Sequence, residues 1–178
     1  MNKRASLLLT LLTLTLINSS IASESWKAEL KKELPLLGHR NWIVVADSAY
    51  PLQTSPGIET ITANEDQIKV IQGVLSALAK TEHVKPTIFT DAEMKFVPEN
   101  AAPGVDAYRT QLKKLLAGQI QEVLPHEQII AKLDEAGKTF KILIIKTPLT
   151  IPYTSVFFQL GCGYWNPIAE KALRDAMK

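Results

Sequence analysis

The segment Leu36–Pro51, LLGHRNWIVVADSAYP, decides the fold prediction. Its centre, Ile43–Ala46, is a short apolar run dominated by β-branched residues, which is typical of a strand covered on both faces. A Gly-His pair precedes this strand and an aspartate follows it. Because open α/β sheets bind ligands beyond the carboxyl ends of their strands, polar residues there are candidates for a site. The segment therefore predicts a buried strand with His39 and Asp47 at its two ends.

Outward from this strand, apolar strands alternate with amphipathic helices along the chain. The predicted strands are Trp42–Ala46, Ile58–Ala63, Pro86–Thr90, Ile120–Leu124, Phe140–Ile145 and Ser155–Leu160. The predicted helices are Trp26–Leu37, a helix capped by Asn64, Asp106–Leu116, His126–Ala136 and a last helix opened by Asn166 and Pro167. This alternation predicts a three-layer α/β/α domain with a mostly parallel sheet.

The amino-terminal residues 1–22 have the pattern of a secretory signal peptide. Lys3 and Arg4 precede the apolar segment Leu7–Ile17, and the small residues Ser20 and Ala22 predict cleavage after Ala22. The apolar run is shorter than the roughly 20 residues of a membrane-spanning helix, and an uncleaved anchor is the alternative interpretation. The pattern predicts a periplasmic or secreted protein without membrane attachment after cleavage.

Charge and composition exclude several classes of function. Lys3 and Arg4 account for the whole excess of 20 basic over 18 acidic residues, so the mature chain is close to neutral and lacks the basic patch that nucleic acid demands. Cys162 is the single cysteine, so the chain has no internal disulfide. Three widely spaced histidines and one cysteine make no metal-ligand motif. Phosphate-loop and nucleophile-elbow motifs are also missing from the sequence.

Four polar residues at predicted element ends are the candidates for chemistry, and each has an ordinary structural alternative. His39 could cap the helix that ends before it, and Asp47 could cap a loop. His126 could be a solvated helix start, and Tyr153 a packing tyrosine with a satisfied hydroxyl. As a set they lack the serine nucleophile of acyl transfer and the paired carboxylates of glycoside cleavage. They suit proton transfer and the binding of hydroxyl groups.

Three segments, in order, resemble motifs of the D-ribose pyranase and L-fucose mutarotase family, the RbsD/FucU-like family. LGHRNWIVVADSAYP resembles its opening motif of Gly-His, strand and aspartate, and PHEQI (Pro125–Ile129) resembles its second histidine motif. IIKTPLTIPYTSVFFQLGCGYW resembles its closing segment, which has a tyrosine before the last strand. The order and spacing agree over Leu34–Gly163. The predicted domain is therefore 23–163, followed by a C-terminal helical extension at 164–178.

The resemblance implies a sugar isomerase, a mutarotase or pyranase that interconverts the anomers or the pyranose and furanose forms of a free monosaccharide such as ribose or fucose. By position in the motifs, His39 matches the acid/base histidine and His126 matches the second histidine. Asp47 matches an aspartate that holds hydroxyls or orients the histidine. Tyr153 matches a sugar contact, and Ser155 stands where the family has asparagine. The resemblance further implies ring-shaped homo-oligomers, commonly decamers, with sites at subunit contacts.

The implied chemistry needs few groups. A base removes the proton of the anomeric hydroxyl while an acid protonates the ring oxygen, and the open aldehyde closes again on its other face or through another hydroxyl. A histidine that works near neutral pH and one or two hydrogen-bonding anchors suffice, with no metal, cofactor or covalent intermediate.

Several residues depart from the family pattern. Ser155 lacks the donor pair of an amide, and Ile130 stands where ribose pyranases have lysine. Lys146 replaces an arginine and cannot make its bidentate contact, and Pro148 replaces a glycine. The departures put ribose specificity in doubt and motivate a second hypothesis, an exported non-catalytic carbohydrate-binding or assembly module on the same scaffold. A metal-dependent enzyme is a third and weaker alternative.

The length of the first strand bears on how a site could form. Trp42–Ala46 spans roughly 13 Å at about 3.3 Å per residue, and His39 and Asp47 lie beyond its opposite ends. They can serve one small sugar if the turn at Gly38 folds back, or if neighbouring subunits each supply one of them.

Overall fold

The computed structural model describes residues 26–178, so the predicted signal peptide and its cleavage point lie outside the described residues. Helix α1 occupies residues 26–33 and continues as the 3-10 turn Leu34–Leu36. The strands are β1 (Trp42–Ala46), β2 (Ile58–Thr62), β3 (Val84–Asp91), β4 (Gln121–Leu124), β5 (Ile142–Lys146) and β6 (Val156–Cys162). The other helices are α2 (Gln67–Leu78), α3 (Val105–Leu115), α4 (His126–Gly137) and α5 (Pro167–Ala176), and a 3-10 turn spans Ala92–Phe96. These bounds confirm the predicted order of elements.

The six strands form one sheet in the order β2-β5-β1-β6-β3-β4. β5 runs parallel to both β1 and β2, and β4 runs parallel to β3. β6 is antiparallel to its neighbours β1 and β3. The prediction of a mostly parallel sheet is therefore confirmed, with one reversed strand in its middle.

Alternate residues of each strand point to opposite sides of the sheet, and helices cover both of its faces. Ile43 and Val45 pack into a core with residues of α1, α2 and α3. Trp42, Val44 and Ala46 pack into a second core with residues of α4. All five residues of β1 are buried, which explains its continuous apolar sequence. The arrangement confirms the three-layer prediction.

Two predicted helix boundaries were wrong. The first helix changes to a 3-10 turn at Leu34 rather than running to Leu37, because Pro35 has no N–H to donate to a helical hydrogen bond. The cap of α2 is Asp66 rather than Asn64, since the Asp66 carboxylate accepts the backbone N–H of Lys69 at 3.1 Å.

His83, which precedes β3, is half-buried. Its Nε2 lies 3.3 Å from the carbonyl oxygen of Leu34 and 3.1 Å from that of Leu37. Because a carbonyl can only accept, this nitrogen carries the proton and donates. His83 therefore caps the carbonyl end of the first helical segment.

The predicted C-terminal helix is present as α5. Asn166 caps it by accepting the N–H of Ala169 at 2.9 Å, with Pro167 in the first turn. Its apolar stripe is exposed, with Ile168 82% and Met177 68% accessible, and no residue of the helix is buried. The extension therefore adds nothing to either core. None of the helices within residues 26–178 is long and apolar enough to cross a membrane.

Candidate functional site

The reversed strand β6 brings loops from different parts of the chain to one edge of the sheet. The carboxyl ends of β1, β3 and β4 meet at this edge, because these strands run in the same direction. Val156 at the start of β6 pairs with both Val45 and Thr90, so the amino end of β6 lies between the ends of β1 and β3. The residues at or just beyond these ends include Asp47, Asp91, Ser155 and His126. The sheet thus collects in one place groups that are far apart in the sequence.

A histidine–aspartate pair is the main feature of this edge. Asp91 ends β3 and His126 begins α4, and Nδ1 of His126 lies 3.1 Å from Oδ1 of Asp91. This is an ion-pair contact and not a well-formed hydrogen bond, and neither oxygen of Asp91 has a hydrogen-bond partner among the described residues. The Asp91 side chain is inaccessible, whereas that of His126 is 30% exposed. The ring nitrogen turned away from Asp91, Nε2, is the one available to a ligand.

Burial controls the protonation of Asp91. It raises the pKa of this carboxyl from 3.8 to about 6, the adjacent His126 opposes the rise, and the carboxylates of Glu93 and Asp47 add to it. The Asp91 carboxyl therefore titrates close to neutral pH, with a pKa of about 6. Such a group next to a partly exposed histidine is a feature of functional sites.

We expect this buried carboxyl to make the stability of the protein depend on pH. The folded protein holds the Asp91 proton up to about pH 6, whereas the unfolded chain releases it near pH 4, so stability falls as the pH rises through this window. The stability of the wild type relative to Asp91→Asn should fall by roughly 2 to 2.5 kcal/mol from pH 4 to pH 7. Urea unfolding of both proteins at several pH values measures it, and a difference that stays constant across this range contradicts the assignment.

The backbone N–H of His126 is fixed by a neighbouring carboxylate. Both oxygens of Glu93 accept this N–H, at 3.1 and 3.0 Å, so Glu93 caps α4 from the 3-10 turn that follows β3. A carboxylate at a helix amino terminus also interacts favourably with the helix dipole. The position of the imidazole is thereby tied to the end of β3 from two sides, through Asp91 and Glu93.

Asp47, at the end of β1, is held by Ser155. The Ser155 hydroxyl donates to Oδ2 of Asp47 at 3.0 Å and accepts the Asp47 backbone N–H at 3.4 Å. The other oxygen, Oδ1, accepts the N–H of Ala49 at 2.9 Å. Ser155 is 3% exposed, so its hydroxyl is turned toward Asp47 and away from solvent. Asp47 itself is only partly buried, which leaves its carboxylate open to a ligand.

Tyr153 covers the imidazole from the side. Its ring meets that of His126 edge to face, with the centroids 5.7 Å apart and the planes at 81°. Tyr153 has φ 58°, a left-handed conformation that costs a non-glycine residue about 1–2 kcal/mol, and its side chain is 40% exposed. Its other side lines an apolar cleft of about 380 Å³ with Phe96 and Pro152. A strained, exposed tyrosine against a partly exposed histidine fits a ligand contact better than a packing role.

His39 lies at the opposite edge of the sheet from the other candidates. The turn Gly38–Asn41 that carries it is pinned there, because Arg40 donates its backbone N–H to Leu160 at 2.9 Å and Asn41 donates to Gly38 at 3.1 Å. The exposed side chain of His39 lines a cleft of about 590 Å³ with Trp42, Lys132 and Gln159. Within one chain, the structure thus brings together Asp47, His126, Tyr153 and Ser155, and keeps His39 apart from them.

Two of the departures from the family pattern have structural roles. Ile130 is partly buried and packs against the core beneath α4. Lys146 donates from Nζ to the backbone carbonyl of Tyr50 at 2.6 Å, which ties the loop after β1 to the end of β5. Ile130 carries no charge, and the ammonium group of Lys146 binds a backbone carbonyl instead of the His126–Asp91 pair.

Sequence reasoning missed Asp91, Glu93 and the buried polar residues behind the site, Gln67 and Tyr108. Asp91 carried a usable signal, since it follows a predicted strand as Asp47 does. Gln67 and Tyr108 lie in amphipathic helices, where a buried polar residue cannot be told from an exposed one by spacing alone. Among residues 26–178, no three histidine, cysteine, aspartate or glutamate side chains converge as metal ligands do.

The fold and this edge define a three-layer α/β protein whose candidate ligand site lies at the ends of its strands. The family model described as the RbsD / FucU transport protein family matches residues 22–163. The chain therefore belongs to the RbsD/FucU family, as its motifs predicted. No protein among the curated sequences matches it significantly.

Solved structures share the fold. RbsD of Bacillus subtilis, solved in complex with D-ribose, is 26% identical, with a TM-score of 0.51 over 75% of this chain and 91% of that one. FucU of Bifidobacterium longum is 17% identical, with a TM-score of 0.50 over 75% of this chain and 94% of that one. The second similarity concerns the fold alone.

Proposed function

We propose that the protein is a monosaccharide mutarotase or pyranase, which interconverts ring forms of a free sugar by acid–base catalysis. The observation that carries the proposal is the convergence of Asp47, His126 and Tyr153 on one sheet edge, with Asp91 behind the histidine. Membership of the RbsD/FucU family and the ribose complex of the Bacillus subtilis relative support a sugar as the ligand. The predicted leader at residues 1–22 supports action in the periplasm or outside the cell.

Asp91 gives His126 a defined orientation in this mechanism. Nδ1 lies 3.1 Å from the carboxylate, and a proton held on Nδ1 would leave Nε2 as the free acceptor, so the imidazole can take the proton of the anomeric hydroxyl. As the C–O bond to the ring oxygen breaks, a separate general acid supplies a proton to that oxygen, and the anomeric carbon becomes an aldehyde. Reversal on the other face, or closure through a different hydroxyl, gives the product. Protons are exchanged and no other atom is gained or lost, so the chemistry needs no cofactor.

Asp47 and Tyr153 would hold the sugar during ring opening. The carboxylate of Asp47 is fixed by Ser155 and Ala49, and it accepts hydroxyl protons of the sugar. The Tyr153 ring supplies an apolar surface and a hydroxyl beside His126. Ser155 acts through Asp47 in this proposal, since its hydroxyl is used by that carboxylate.

The general acid in the proposal is His39 of a neighbouring copy of the chain. The pinned turn at Gly38–Asn41 prevents His39 from reaching Asp47 within one chain, yet it presents the imidazole at the surface in a fixed position. A homo-oligomer, such as the decameric ring that the family motifs imply, would place this histidine against the site of the next subunit. The sugar site would then be complete only at a subunit contact.

Anomer exchange followed by saturation-transfer NMR tests the function directly. The purified protein should accelerate exchange for at least one sugar of a panel containing ribose, fucose and galactose, over the uncatalysed rate in the same buffer. Calorimetric titration with the same sugars separates binding from turnover. Sugar binding without acceleration would replace the enzyme by a carbohydrate-binding module, and neither binding nor acceleration across pentoses and hexoses would contradict the proposal.

A further inference from the structure

Behind the sheet edge lies a closed network of buried hydrogen bonds. Four residues take part, from α2, α3 and two loops, and each is at most 5% exposed: Gln67, Tyr108, Thr147 and Thr154. Gln67 begins α2, so the network links a helix start to the loop that carries Tyr153 and Ser155. None of the four forms a hydrogen bond with the His126–Asp91 pair, and none is used by the mechanism above.

The direction of every bond in the network is fixed by chemistry. Thr147 donates its hydroxyl to Oε1 of Gln67 at 2.6 Å. The amide Nε2 of Gln67 donates one hydrogen to the Thr154 carbonyl at 2.6 Å and the other to the Tyr108 hydroxyl at 3.0 Å. Tyr108 donates in turn to the same Thr154 carbonyl at 2.7 Å. A reversed amide would set an oxygen against that carbonyl, so Gln67 is held in one orientation, with both amide hydrogens and the amide oxygen engaged.

The shared acceptor, the carbonyl of Thr154, lies between the two residues of this loop that shape the site. Tyr153 precedes it in a left-handed conformation, which persists only where the surroundings enforce it. Ser155 follows it and holds Asp47. Two donors on one carbonyl oxygen fix the orientation of the Thr154–Ser155 peptide and restrain Thr154 itself, and thereby the directions of the Tyr153 ring and the Ser155 hydroxyl on either side.

We propose that Gln67, together with Tyr108, is a positioning residue of the sugar site, which fixes Tyr153 and Ser155 by clamping the Thr154 carbonyl. The inference rests on the proposed function for its effect on turnover. Its geometric part concerns this chain alone. Gln67→Met keeps the length of the side chain and removes both amide donors, and Val74→Ala, in the buried face of the same helix, is the matched control for a loss of packing.

The test uses NMR of the His126 ring protons in the full-length protein labelled in histidine, because the Tyr153 ring shifts them at a centroid distance of 5.7 Å. Tyr153→Leu supplies the reference without that ring. Gln67→Met should move the His126 shifts toward the reference and lower kcat/KM about 10- to 100-fold, since small misplacements of binding groups cost up to about that factor. Val74→Ala should change neither, even if it lowers the melting temperature as much.

Unchanged His126 shifts in Gln67→Met would overturn the positioning role, whatever the stability of that variant. Lost kcat/KM with unchanged shifts would do the same, because the effect would then not pass through Tyr153. A wild type without anomer exchange would refute the proposed function instead. In that case the shift comparison would still decide whether Gln67 positions Tyr153.

Discussion

Replacing His39 with alanine should lower the rate of anomer exchange about 100- to 10,000-fold, the range typical of losing a general acid or base. No other single substitution should reduce it more. The reason is that His39 is the proposed general acid. The remaining site groups lie together at the other edge of the sheet. Saturation-transfer NMR with the best sugar of the panel measures the rate.

The fold should survive this substitution. The His39 side chain is exposed, and the hydrogen bonds of its turn are made by the backbone and by Asn41. We therefore expect the unfolding free energy to change by no more than about 0.5 kcal/mol. His83→Ala is the matched control, since it removes a histidine that takes no part in the proposed chemistry but caps the carbonyls of Leu34 and Leu37, just before the His39 turn. It should lose about 1 kcal/mol of stability and keep kcat/KM. An active His39→Ala protein would remove this residue from the mechanism.

Replacing His126 with alanine should have an effect of similar size on turnover, about 100- to 1,000-fold. It has a second consequence that His39→Ala lacks. The pKa of Asp91 is raised by burial and lowered by His126, so loss of the imidazole should raise the pKa above about 6. The unpartnered carboxylate then destabilises the protein at neutral pH, and the loss of stability should shrink below pH 5, where Asp91 is protonated.

Thermal unfolding at pH 5 and pH 8 separates the two effects of His126→Ala. We expect its melting temperature to lie further below that of the wild type at pH 8 than at pH 5. The double variant Asp91→Asn, His126→Ala provides the control, since it should abolish this dependence without recovering activity. Equal losses of stability at both pH values would contradict the pairing of His126 with Asp91.

Much of the fold was readable from local pattern. The five buried residues of β1 form a continuous apolar run, so its bounds were predicted from Trp42 to Ala46. The cap of α5 by Asn166 follows from helix-cap chemistry that depends on a few neighbouring residues, whereas the cap of α4 by Glu93 joins residues 33 positions apart. The reversed direction of β6 could not be predicted from the sequence, because an apolar strand has the same composition in either direction.

The candidate site could be predicted only in part, because local sequence patterns mark the ends of helices and strands but not the contacts between distant segments. Asp47, His126 and Tyr153 stand at element ends, where the sequence marks them. The pairing of Asp91 with His126 depends on β3 lying beside β4, and the contact of Ser155 with Asp47 spans 108 positions of the chain. The separation of His39 from Asp47 followed from the length of β1. The turn does not fold back, because the backbone N–H of Arg40 donates a hydrogen bond to the carbonyl of Leu160. This bond joins distant segments of the chain, so the sequence did not predict it.

The central claim is that one sugar site takes His39 from one copy of the chain and His126 from its neighbour. His39→Ala and His126→Ala chains, co-expressed with different tags and purified as mixed oligomers, test it most directly. Each variant alone should be nearly inactive, and random mixing should rebuild about one quarter of the sites from the intact half of each chain. We therefore expect mixed oligomers to regain about a quarter of the wild-type exchange rate. Mixed oligomers as inactive as either parent would contradict a site shared between subunits.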